Sequence, residues 1–361
     1  MTYGIEISLS RKRMAKRQTL PTLSQVARKA GVGTTTVSRV INGGERVSPK
    51  TLAHVRRVIE TLGYMPNQAA RILKGQRTKT IGLVVPSIAD PFFSSCAEAV
   101  QAVARANDSL LIVTVTANDP RTEIDNLSVL IRHRVDGLIL VPADSQSHAL
   151  RDLLGRVPMP VVAIDRPAGN ASIASVVADN FKGAMTATQH LIDHGCKRIV
   201  CLTGESSLYT IRERMNGYRK AVEAAHLMPI FDTSVTDLKS VEYAIRNMLD
   251  GPNPPDAIFA LKNSTTIHAF ETLQKFNIAV PQSIALIGFD DFELASTLRP
   301  SISVIQQPVE EIGRRAAEIL FEQLFHERES GSPDAQKPAR QIKLKTCLIP
   351  RSSCGCNAPI A

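Results

Sequence analysis

Hydrogen-bonding side chains are concentrated in the segment TLSQVARKAGVGTTTVSRVING, residues 22–43. On a helix that starts near Thr34, the polar residues fall on the face opposite the apolar ones: Thr34, Thr35, Ser38, Arg39 and Asn42. Hydroxyls donate and accept hydrogen bonds, and the arginine guanidinium presents a planar fork of donors. The pattern predicts a surface that binds polar atoms of another molecule. The alternative, a purely structural helical hairpin, does not need these side chains there.

Two short helices are predicted to position this surface. The first has Thr22 as its N-cap and an apolar face made of Leu23, Val26, Ala27 and Ala30. Gly31 supplies a sharp turn into the second helix, whose buried side is formed by Val37, Val40 and Ile41. Two helices joined by a tight glycine turn form a helix-turn-helix, which presents the N-terminal side chains of its second helix to the major groove of DNA.

A third helix is predicted to close the small core of this segment. Ser48 caps it, Pro49 occupies its first position and Gly63 ends it. Its predicted buried stripe consists of Leu52, Val55, Ile59 and Leu62. Three helices within so few residues are enough to form one small domain.

The net charge of +9 is carried by one end of the chain. Residues 1–79 contain 16 Lys and Arg against 3 Asp and Glu, whereas the remaining residues contain 27 against 31. A compact basic segment beside a nearly neutral one indicates a polyanion as partner, with nucleic acid first. Residues 1–21 are predicted to be a basic flexible arm whose charge adds affinity for phosphates.

Residues 22–86, from TLSQVARKAGVG to TKTIGLVVP, resemble throughout the N-terminus of the LacI/GalR family of bacterial transcription regulators. The resemblance implies that Thr34, Thr35 and Arg39 read bases in the major groove, with Thr36 and Ser38 nearer the phosphates. An arginine there can pair with O6 and N7 of guanine, which discriminates by about 1–3 kcal/mol against a wrong base.

The segment NQAARILKGQRT, residues 67–78, is too short to form a stable helix alone. By resemblance it is the family's hinge helix, which folds on DNA when two subunits pair in the minor groove. The resemblance assigns the hinge contacts to Asn67, Ala70, Leu73 and Lys74. Leu73 would be the wedge that unstacks a central base step. The alternative is a linker whose Ile72 and Leu73 pack on the next domain.

From residue 80 onward, apolar β-branched runs alternate with segments of helical length. The predicted strands are 81–86, 110–115, 136–142, 160–164, 198–203, 257–261 and 284–289. This alternation predicts parallel sheets covered by helices on both faces, and the length of the region favours two lobes over one. The resemblance agrees, since it implies two lobes of periplasmic-binding-protein type with the ligand between them.

The predicted domains follow from these patterns. They are a basic arm at 1–21, a helix-turn-helix domain at 22–66, a hinge helix and linker at 67–79, a two-lobed ligand-binding and dimerisation domain at 80–350, and a tail at 351–361. Lobe 1 is predicted to comprise about 80–178 and 306–336, and lobe 2 about 179–305 and 337–350. The strand in SISVIQQP and the helix 309–328 are expected to return to lobe 1, and RQIKLKTCLIPR to add a strand to lobe 2.

Polar side chains follow several predicted strands, where open α/β sheets bind their ligands. Ser87 and Asp90 follow the first strand, Asp165 and Arg166 follow PVVAI, and Asp290 and Asp291 follow LIGF. Carboxylates accept hydrogen bonds from pairs of sugar hydroxyls and aromatic rings stack on sugar faces, so a sugar-type cleft is predicted. The alternative at each position is a helix cap or turn residue. With Arg214 and Asp290 assigned by resemblance, the predicted effector-binding residues are Ser87, Asp90, Phe92, Phe93, Asp165, Arg166, Arg214, Lys262 and Asp290.

Lys262 departs from the family pattern. After the AIFA strand most members have an Asn-Asp pair, and here Lys262 falls on the position of the ligand-binding Asn. A lysine in a cleft that already holds Arg166 and Arg214 favours an anionic ligand, such as a sugar acid or phosphosugar. The alternatives are that Lys262 pairs with Asp290 or Asp165 and the ligand is neutral, or that the alignment is one residue off.

Other classes of function find little support in the sequence. It contains no GxGxxG after a strand, no GxxxxGK[ST], no HExxH and no GxSxG, so neither an enzyme nor a cofactor is expected. The eight His are judged to have no metal-ligand spacing, the CGC at 354–356 no zinc-like partner, and the six Cys are expected to be reduced thiols, so no metal is expected. No apolar run approaches the roughly 20 residues of a spanning helix, so the protein is predicted to be cytoplasmic, at the nucleoid.

The sequence therefore predicts a ligand-responsive DNA-binding repressor of carbohydrate or sugar-acid metabolism genes. Because one helix-turn-helix reads only a half-site, the expected form is a homodimer on a pseudo-palindromic operator, with a tetramer left open. Induction and co-repression are both left open. The rival predictions are a stand-alone sugar receptor and, last, a sugar-modifying enzyme.

Overall fold

The computed structural model describes residues 21–44, 46–65, 77–170, 172–330 and 341–356, with the backbone alone at 327–330. The chain divides into two compact units, Met1–Arg77 and Thr78–Ala361. The predicted hinge contacts Asn67, Ala70, Leu73 and Lys74, and the arm at residues 1–20, lie outside the described residues. Within those described ranges, no helix is both long and apolar enough to cross a membrane.

The first unit contains the three predicted helices, α1 Leu23–Ala30, α2 Thr34–Ile41 and α3 Pro49–Leu62. Thr22 and Gln25 form a capping box at the start of α1, and Ser48 caps α3. Gly31 and Gly63 end α1 and α3 in the left-handed region, with φ of 64° and 62°, as the turn signals predict. The buried core is formed by Val26, Ala27, Ala30, Val37, Val40, Val55 and Val58.

The apolar stripe of α3 differs in part from the prediction. Val55 is buried as expected, but Val58, which the prediction omits, is buried as well. The other members of the predicted stripe are only partly buried, as is Ile41 of α2: Leu52, Ile59 and Leu62. Because a three-helix core this small covers its rim poorly, only its central side chains are buried.

The first lobe of the second unit is one sheet between two layers of helices. Its strands are β1 Thr80–Val85, β2 Leu110–Val115, β3 Gly137–Leu140, β4 Val161–Ile164, β5 Ala174–Ala178 and β11 Gln341–Leu344, paired in the order β11-β5-β4-β3-β1-β2. Its helices are α4 Pro91–Ala106, α5 Pro120–Arg132, α6 His148–Leu154 and α11 Val309–Ser330. Helices α4 and α11 cover one face, and α5 and α6 cover the other.

The second lobe repeats this arrangement. Its strands are β6 Ile199–Leu202, β7 Ile230–Asp232, β8 Ala257–Ala260, β9 Ala285–Phe289, β10 Ser303–Gln306 and β12 Cys347–Ile349, paired in the order β12-β10-β9-β8-β6-β7. Its helices are α7 Asn180–Asp193, α8 Tyr209–Ala224, α9 Leu238–Leu249 and α10 Asn263–Lys275. Strand β12 is antiparallel to β10, and the other strand pairs described in this sheet are parallel. The predicted fold class, a helix-turn-helix domain with parallel two-lobed α/β sheets, is confirmed.

The course of the C-terminal segments corrects the prediction. Strand β10, within SISVIQQP, pairs with β9 in the second sheet rather than returning to the first. The segment RQIKLKTCLIPR is divided between the lobes: β11 pairs with β5, and β12 pairs with β10. Packing explains the division, because Ile342 and Leu344 pack on the core of the first lobe, whereas Leu348 and Ile349 pack on that of the second.

Candidate DNA-binding surface and ligand cleft

The outward face of α2 carries the predicted base-reading side chains. Thr34, Thr35 and Arg39 are exposed, whereas Thr36 and Ser38 are half-buried. The opposite face buries Val37 and Val40, which fixes the direction of the polar side chains. The surface therefore offers hydroxyls and one guanidinium to an outside partner, and the base and phosphate contacts of individual residues stay predictions.

Two predicted carboxylates of the cleft are aimed by left-handed backbone turns. Asp165 follows β4 with a φ of 65°, and Asp290 follows β9 with a φ of 75°. A non-glycine residue adopts this region at a cost, so its side chain is held in a direction that an extended strand end would not give. Asp165 is buried, and its carboxylate accepts a hydrogen bond from Arg166 Nε at 3.0 Å.

Arg166 is buried and donates hydrogen bonds to partners within its own lobe. Its Nη1 donates to Asn118 Oδ1 at 2.9 Å and to the Pro142 carbonyl at 2.9 Å. Because a buried guanidinium is stable only when its donors are paired, these contacts hold Arg166 rigid and neutralise its charge with Asp165.

Arg214, on α8 of the second lobe, is also buried. Its Nε donates to Asn180 Oδ1 at 2.7 Å, and its Nη1 donates to the Leu261 carbonyl at 2.6 Å and to Asp290 Oδ2 at 3.3 Å. The guanidinium lies 3.7 Å from the centroid of the Phe289 ring, a cation–π contact. Asp290 also accepts a hydrogen bond from Gln307 Nε2. The carboxylate is thus oriented from two sides.

Electrostatic coupling places residues of both lobes in one cluster. Burial raises the pKa of Asp165, and the charges of Arg166 and Arg214 oppose this rise while Asp290 adds to it. Burial also raises the pKa of Asp90, again with Asp290 adding to the rise and with Lys262 and Arg214 opposing it. Asp90, Asp165 and Arg166 are in the first lobe, and Arg214, Lys262 and Asp290 are in the second, so the structure brings these predicted residues together across the cleft.

Four predicted cleft residues have local structural roles. Asp90 Oδ1 accepts the Phe92 amide at 3.0 Å as the N-cap of α4, and Ser87 Oγ accepts the Ala89 amide at 3.1 Å. Phe92 and Phe93 are largely buried in the first-lobe core, with edge-to-face rings 5.0 Å apart. The alternative assignment, caps and turns, thus describes Ser87 and Asp90 locally, and Asp90 is in addition coupled to the charges of the cleft.

Lys262 and Asp291 pair with residues that the sequence analysis did not name. Lys262 Nζ lies 2.8 Å from Glu205 Oε2, so the expected alternatives Asp290 and Asp165 are wrong as its ion-pair partners. Asp291 forms a two-fold contact with Arg351, at 3.0 Å and 2.7 Å. Asp290 and Asp291 therefore face different surroundings, as adjacent residues at a strand end should.

A groove of about 1150 Å³ opens at one side of the cluster. Its lining includes the predicted residues Phe92 and Asp290, together with Asn263 and Gln307. From there it runs along α11 towards Arg314. The groove therefore overlaps the cluster at one end and continues away from it along the outside of the first lobe.

Several polar residues of the cluster escaped the sequence analysis. Asn118, Asn180 and Gln307 orient the two arginines and Asp290, and each lies just beyond a strand. The strand-end rule that selected Asp165 would have found Asn118 after β2, because that strand was predicted. Asn180 follows β5, which was not predicted, so no signal pointed to it.

Comparison with known proteins places this geometry in a family. Residues 22–67 match the model described as bacterial regulatory proteins, lacI family, and residues 78–344 that of periplasmic binding proteins and sugar binding domain of LacI family. The chain is 34% identical over 338 residues to the ribose operon repressor of Escherichia coli (strain K12), covering 92% of this chain and 100% of that protein.

Solved structures agree with this assignment. The transcriptional regulator CelR-cellobiose complex superposes with a TM-score of 0.67 at 30% identity, covering 92% of this chain and 99% of that chain. The lac repressor dimer bound to operator and the anti-inducer ONPF has the same fold, with a TM-score of 0.81 at 24% identity and coverage of 92% and 99%. With matches across both units, the chain belongs to the LacI family of bacterial regulatory proteins, which joins a DNA-binding helix-turn-helix to a sugar-binding domain of periplasmic-binding-protein type.

Proposed function

We propose that this protein is a repressor that binds operator DNA through α2. Binding of a sugar between its lobes would lower or raise its affinity for the operator. The observation that carries the proposal is the presence in one chain of an exposed hydrogen-bonding face on α2 and a cleft of oriented polar groups. The names of the relatives, a ribose operon repressor and a cellobiose-bound regulator, support a carbohydrate as the effector.

We propose a neutral sugar as that effector rather than a sugar acid. Each cation predicted in the cleft already faces a carboxylate: Arg166 faces Asp165, Arg214 faces Asp290, and Lys262 faces Glu205. An anionic ligand would have to displace one of these carboxylates or bind beside it, whereas sugar hydroxyls can donate to carboxylates already in place. Asp90, a further acid in the cluster, strengthens the preference for donors over anions.

The working form is proposed to be a homodimer. Strand β2 is the edge of the first sheet, and three of its apolar side chains are exposed: Leu110, Val113 and Val115. A row of exposed apolar residues on a sheet edge is a typical protein–protein contact surface. Val113→Asp should give a monomer in light scattering and reduce affinity for a two-half-site operator, because one helix-turn-helix reads only a half-site. A dimer of wild-type strength in this variant would move the interface elsewhere.

The hinge assignments by resemblance complete the proposed mechanism. Effector binding would change the angle between the lobes and, through the paired hinges, the affinity for operator, with a coupling of about 1–3 kcal/mol. Leu73→Ala should weaken specific binding far more than binding to non-specific DNA, because a wedge acts only where the duplex is bent at the correct step. Equal losses for both would exclude the wedge.

The central experiment measures operator binding with and without sugar. Duplexes that the full-length protein selects from a random pool serve as operator, and fluorescence anisotropy gives the Kd with D-ribose, cellobiose, gluconate or ribose 5-phosphate added. A neutral sugar should change the Kd by about 5–150-fold. Asp290→Asn should retain DNA binding and lose the sugar response, with the exposed Asp125→Asn as control. Absence of any sequence-selective DNA binding would overturn the proposed function.

A further inference from the structure

A cluster of imidazoles and thiols lies on the second lobe, at the end of α7. His190 is in the last turn of α7 and His194 follows the helix as its C-cap, one helical turn later. Cys356 joins them, and one ligand atom from each of these three residues lies within 4.8 Å of the other two. The expectation that the histidines have no metal-ligand spacing is wrong for this pair, because residues four apart project from the same face of a helix.

The distances within the cluster match the edges of a small coordination polyhedron. Cys356 Sγ lies 3.2 Å from His194 Nε2 and 3.4 Å from His190 Nε2, and Cys354 Sγ lies 3.2 Å from His190 Nε2. A tetrahedral zinc ion with bonds of about 2.3 Å to sulfur and about 2.0–2.1 Å to nitrogen holds those atoms about 3.6 Å apart. The three contacts are a few tenths of an ångström shorter than this. Cys354, which lies outside the group of three, would also have to move closer to complete the tetrahedron.

The tautomer of His194 is set for metal binding. Its Nδ1 lies 2.8 Å from the carbonyl oxygen of His190, which can only accept a hydrogen bond. Nδ1 must therefore carry the proton, so that in the neutral ring Nε2 presents its lone pair towards Cys356. A histidine that ligates a metal through one nitrogen usually donates the other N–H to such an acceptor.

The segment that carries the two thiols is held in place from the opposite side. The Ser353 hydroxyl donates to the Leu286 carbonyl at 2.6 Å and accepts the Ser303 amide at 2.8 Å. Gly355, between the cysteines, has a φ of 94°, and a Cβ placed on it would lie 3.5 Å from the His194 ring. This left-handed glycine turns the chain so that both neighbouring thiols contact the imidazoles.

We propose that His190, His194, Cys354 and Cys356 form a tetrahedral zinc site that fastens residues 351–356 to α7. Two thiolates and two imidazoles are a common donor set of closed, structural zinc sites. Cys354 is buried and the other three ligands are half-buried or exposed, so the site is reachable from solvent yet fixed at its inner side. The proposed role of the site is structural. The zinc ion would fix the C-terminal end of α7, and the first residue of the same helix, Asn180, bonds Arg214 in the ligand cleft.

Metal content and cobalt spectroscopy test this proposal on the reduced full-length protein. We expect one zinc ion per chain, and after its removal one Co²⁺ per chain with thiolate-to-cobalt charge transfer and the intense visible bands of tetrahedral cobalt. Cys356→Ser and His194→Ala should each weaken Zn²⁺ binding at least about tenfold. The matched controls Cys347→Ser and His133→Ala, at exposed positions outside the cluster, should bind as the wild type does.

Removal of zinc should also lower the Tm of the wild type, because a metal that binds only the folded state stabilises it. The same chelator should leave the Tm of Cys356→Ser unchanged, which separates metal loss from any direct effect of the chelator. The proposal is overturned if the reduced wild type binds neither Zn²⁺ nor Co²⁺, or if both ligand variants retain wild-type affinity. A Cys354–Cys356 disulfide that persists in the reduced preparation would overturn it as well.

Discussion

The outward face of α2 and the cleft between the lobes present their arginines in opposite ways. Arg39 is exposed on a helix whose inner side alone is fixed by packing. Arg214 is almost fully buried, and its guanidinium bonds Asn180, Leu261 and Asp290. The Arg39 guanidinium is accessible to a partner molecule, whereas Nε and Nη1 of Arg214 donate hydrogen bonds within the protein.

This difference suits the two arginines to the two kinds of recognition proposed for them. A base-reading arginine can pair with guanine only if its fork is free when DNA arrives. A cleft arginine whose fork is already bonded instead orients the groups around it, so the ligand meets the carboxylates and amides that it holds. Substitution of Arg39 should therefore change specificity without changing folding, and substitution of Arg214 should change both stability and ligand response.

The largest effect is expected for Arg214→Ala. Removal of the guanidinium leaves Asn180 and Asp290 without their partner, and breaking a buried ion pair from one side costs about 3–5 kcal/mol. The free energy of unfolding from urea titration should fall by that amount. Arg212→Ala, an exposed arginine on the same helix, serves as the matched control and should stay within about 0.5 kcal/mol of the wild type. Equal losses in the two variants would show that the buried contacts of Arg214 add no more stability than an exposed arginine does.

Glu123 is buried and interacts with the charge of Arg166. We expect it to make the free energy of unfolding depend on pH, with an effect of intermediate size. Burial raises its pKa to about 7, although the Ala143 amide and Arg166 act in the opposite direction. The folded state therefore keeps the proton between about pH 4.5 and 7 while the unfolded chain releases it. This group's contribution to stability accordingly falls as the pH rises through that window, by on the order of 3 kcal/mol.

Glu123→Gln should remove this loss of stability with rising pH, because glutamine does not titrate. The fold should be kept, since the amide oxygen can still accept the Ala143 N–H. Urea titrations at pH 5 and pH 8 measure this loss as the difference between variant and wild type. Asp125→Asn, on the same helix but exposed, should leave the decline as it is. A variant that loses stability with pH as steeply as the wild type would show that Glu123 ionises normally.

The sequence predicted local features better than pairings between distant segments. Caps and glycine turns of α1 and α3 depend on adjacent residues, and Thr22, Ser48, Gly31 and Gly63 were placed correctly. Periodicity also located the central strands, because a strand buried on both faces is continuously apolar. The sheet to which RQIKLKTCLIPR belongs depended on which core its apolar side chains reach, and that is decided by the tertiary structure.

The candidate site shows the same limit. The strand-end rule brought Asp165, Arg166 and Asp290 to one cleft, because carboxyl ends of parallel strands meet at one edge. It gave no information on ion-pair partners, and Glu205, 57 residues from Lys262 in the sequence, was missed for that reason. The imidazole–thiol cluster was missed in the same way, since 162 residues separate His194 from Cys356.

Arg39→Ala tests the proposed role of the exposed face of α2 in reading bases. It should relax discrimination at one base pair by about 1–3 kcal/mol, the contribution of a bidentate contact to guanine, and leave the free energy of unfolding unchanged. Competition binding with single-base-pair variants of the selected operator measures this. Arg57→Ala, an exposed arginine of α3, is the control and should leave the base preference unaltered. Unchanged preference in Arg39→Ala would exclude the residue from base reading.

The smallest effect is expected for Lys262→Asn, which places a neutral amide at the position where the sequence analysis predicts a departure from the family pattern. The pair that Lys262 makes with Glu205 is one-third to almost one-half exposed, so its loss should cost at most about 1 kcal/mol of stability. With a neutral sugar as effector, calorimetric affinity should stay within a few-fold of the wild type. The matched variant Glu205→Gln removes the ion-pair partner of Lys262 instead. It should raise the affinity for a sugar acid and leave the affinity for a neutral sugar unchanged. Loss of sugar-acid binding in Lys262→Asn would mean that the lysine leaves Glu205 for the ligand, and that this cation, unlike Arg214, faces outward in function.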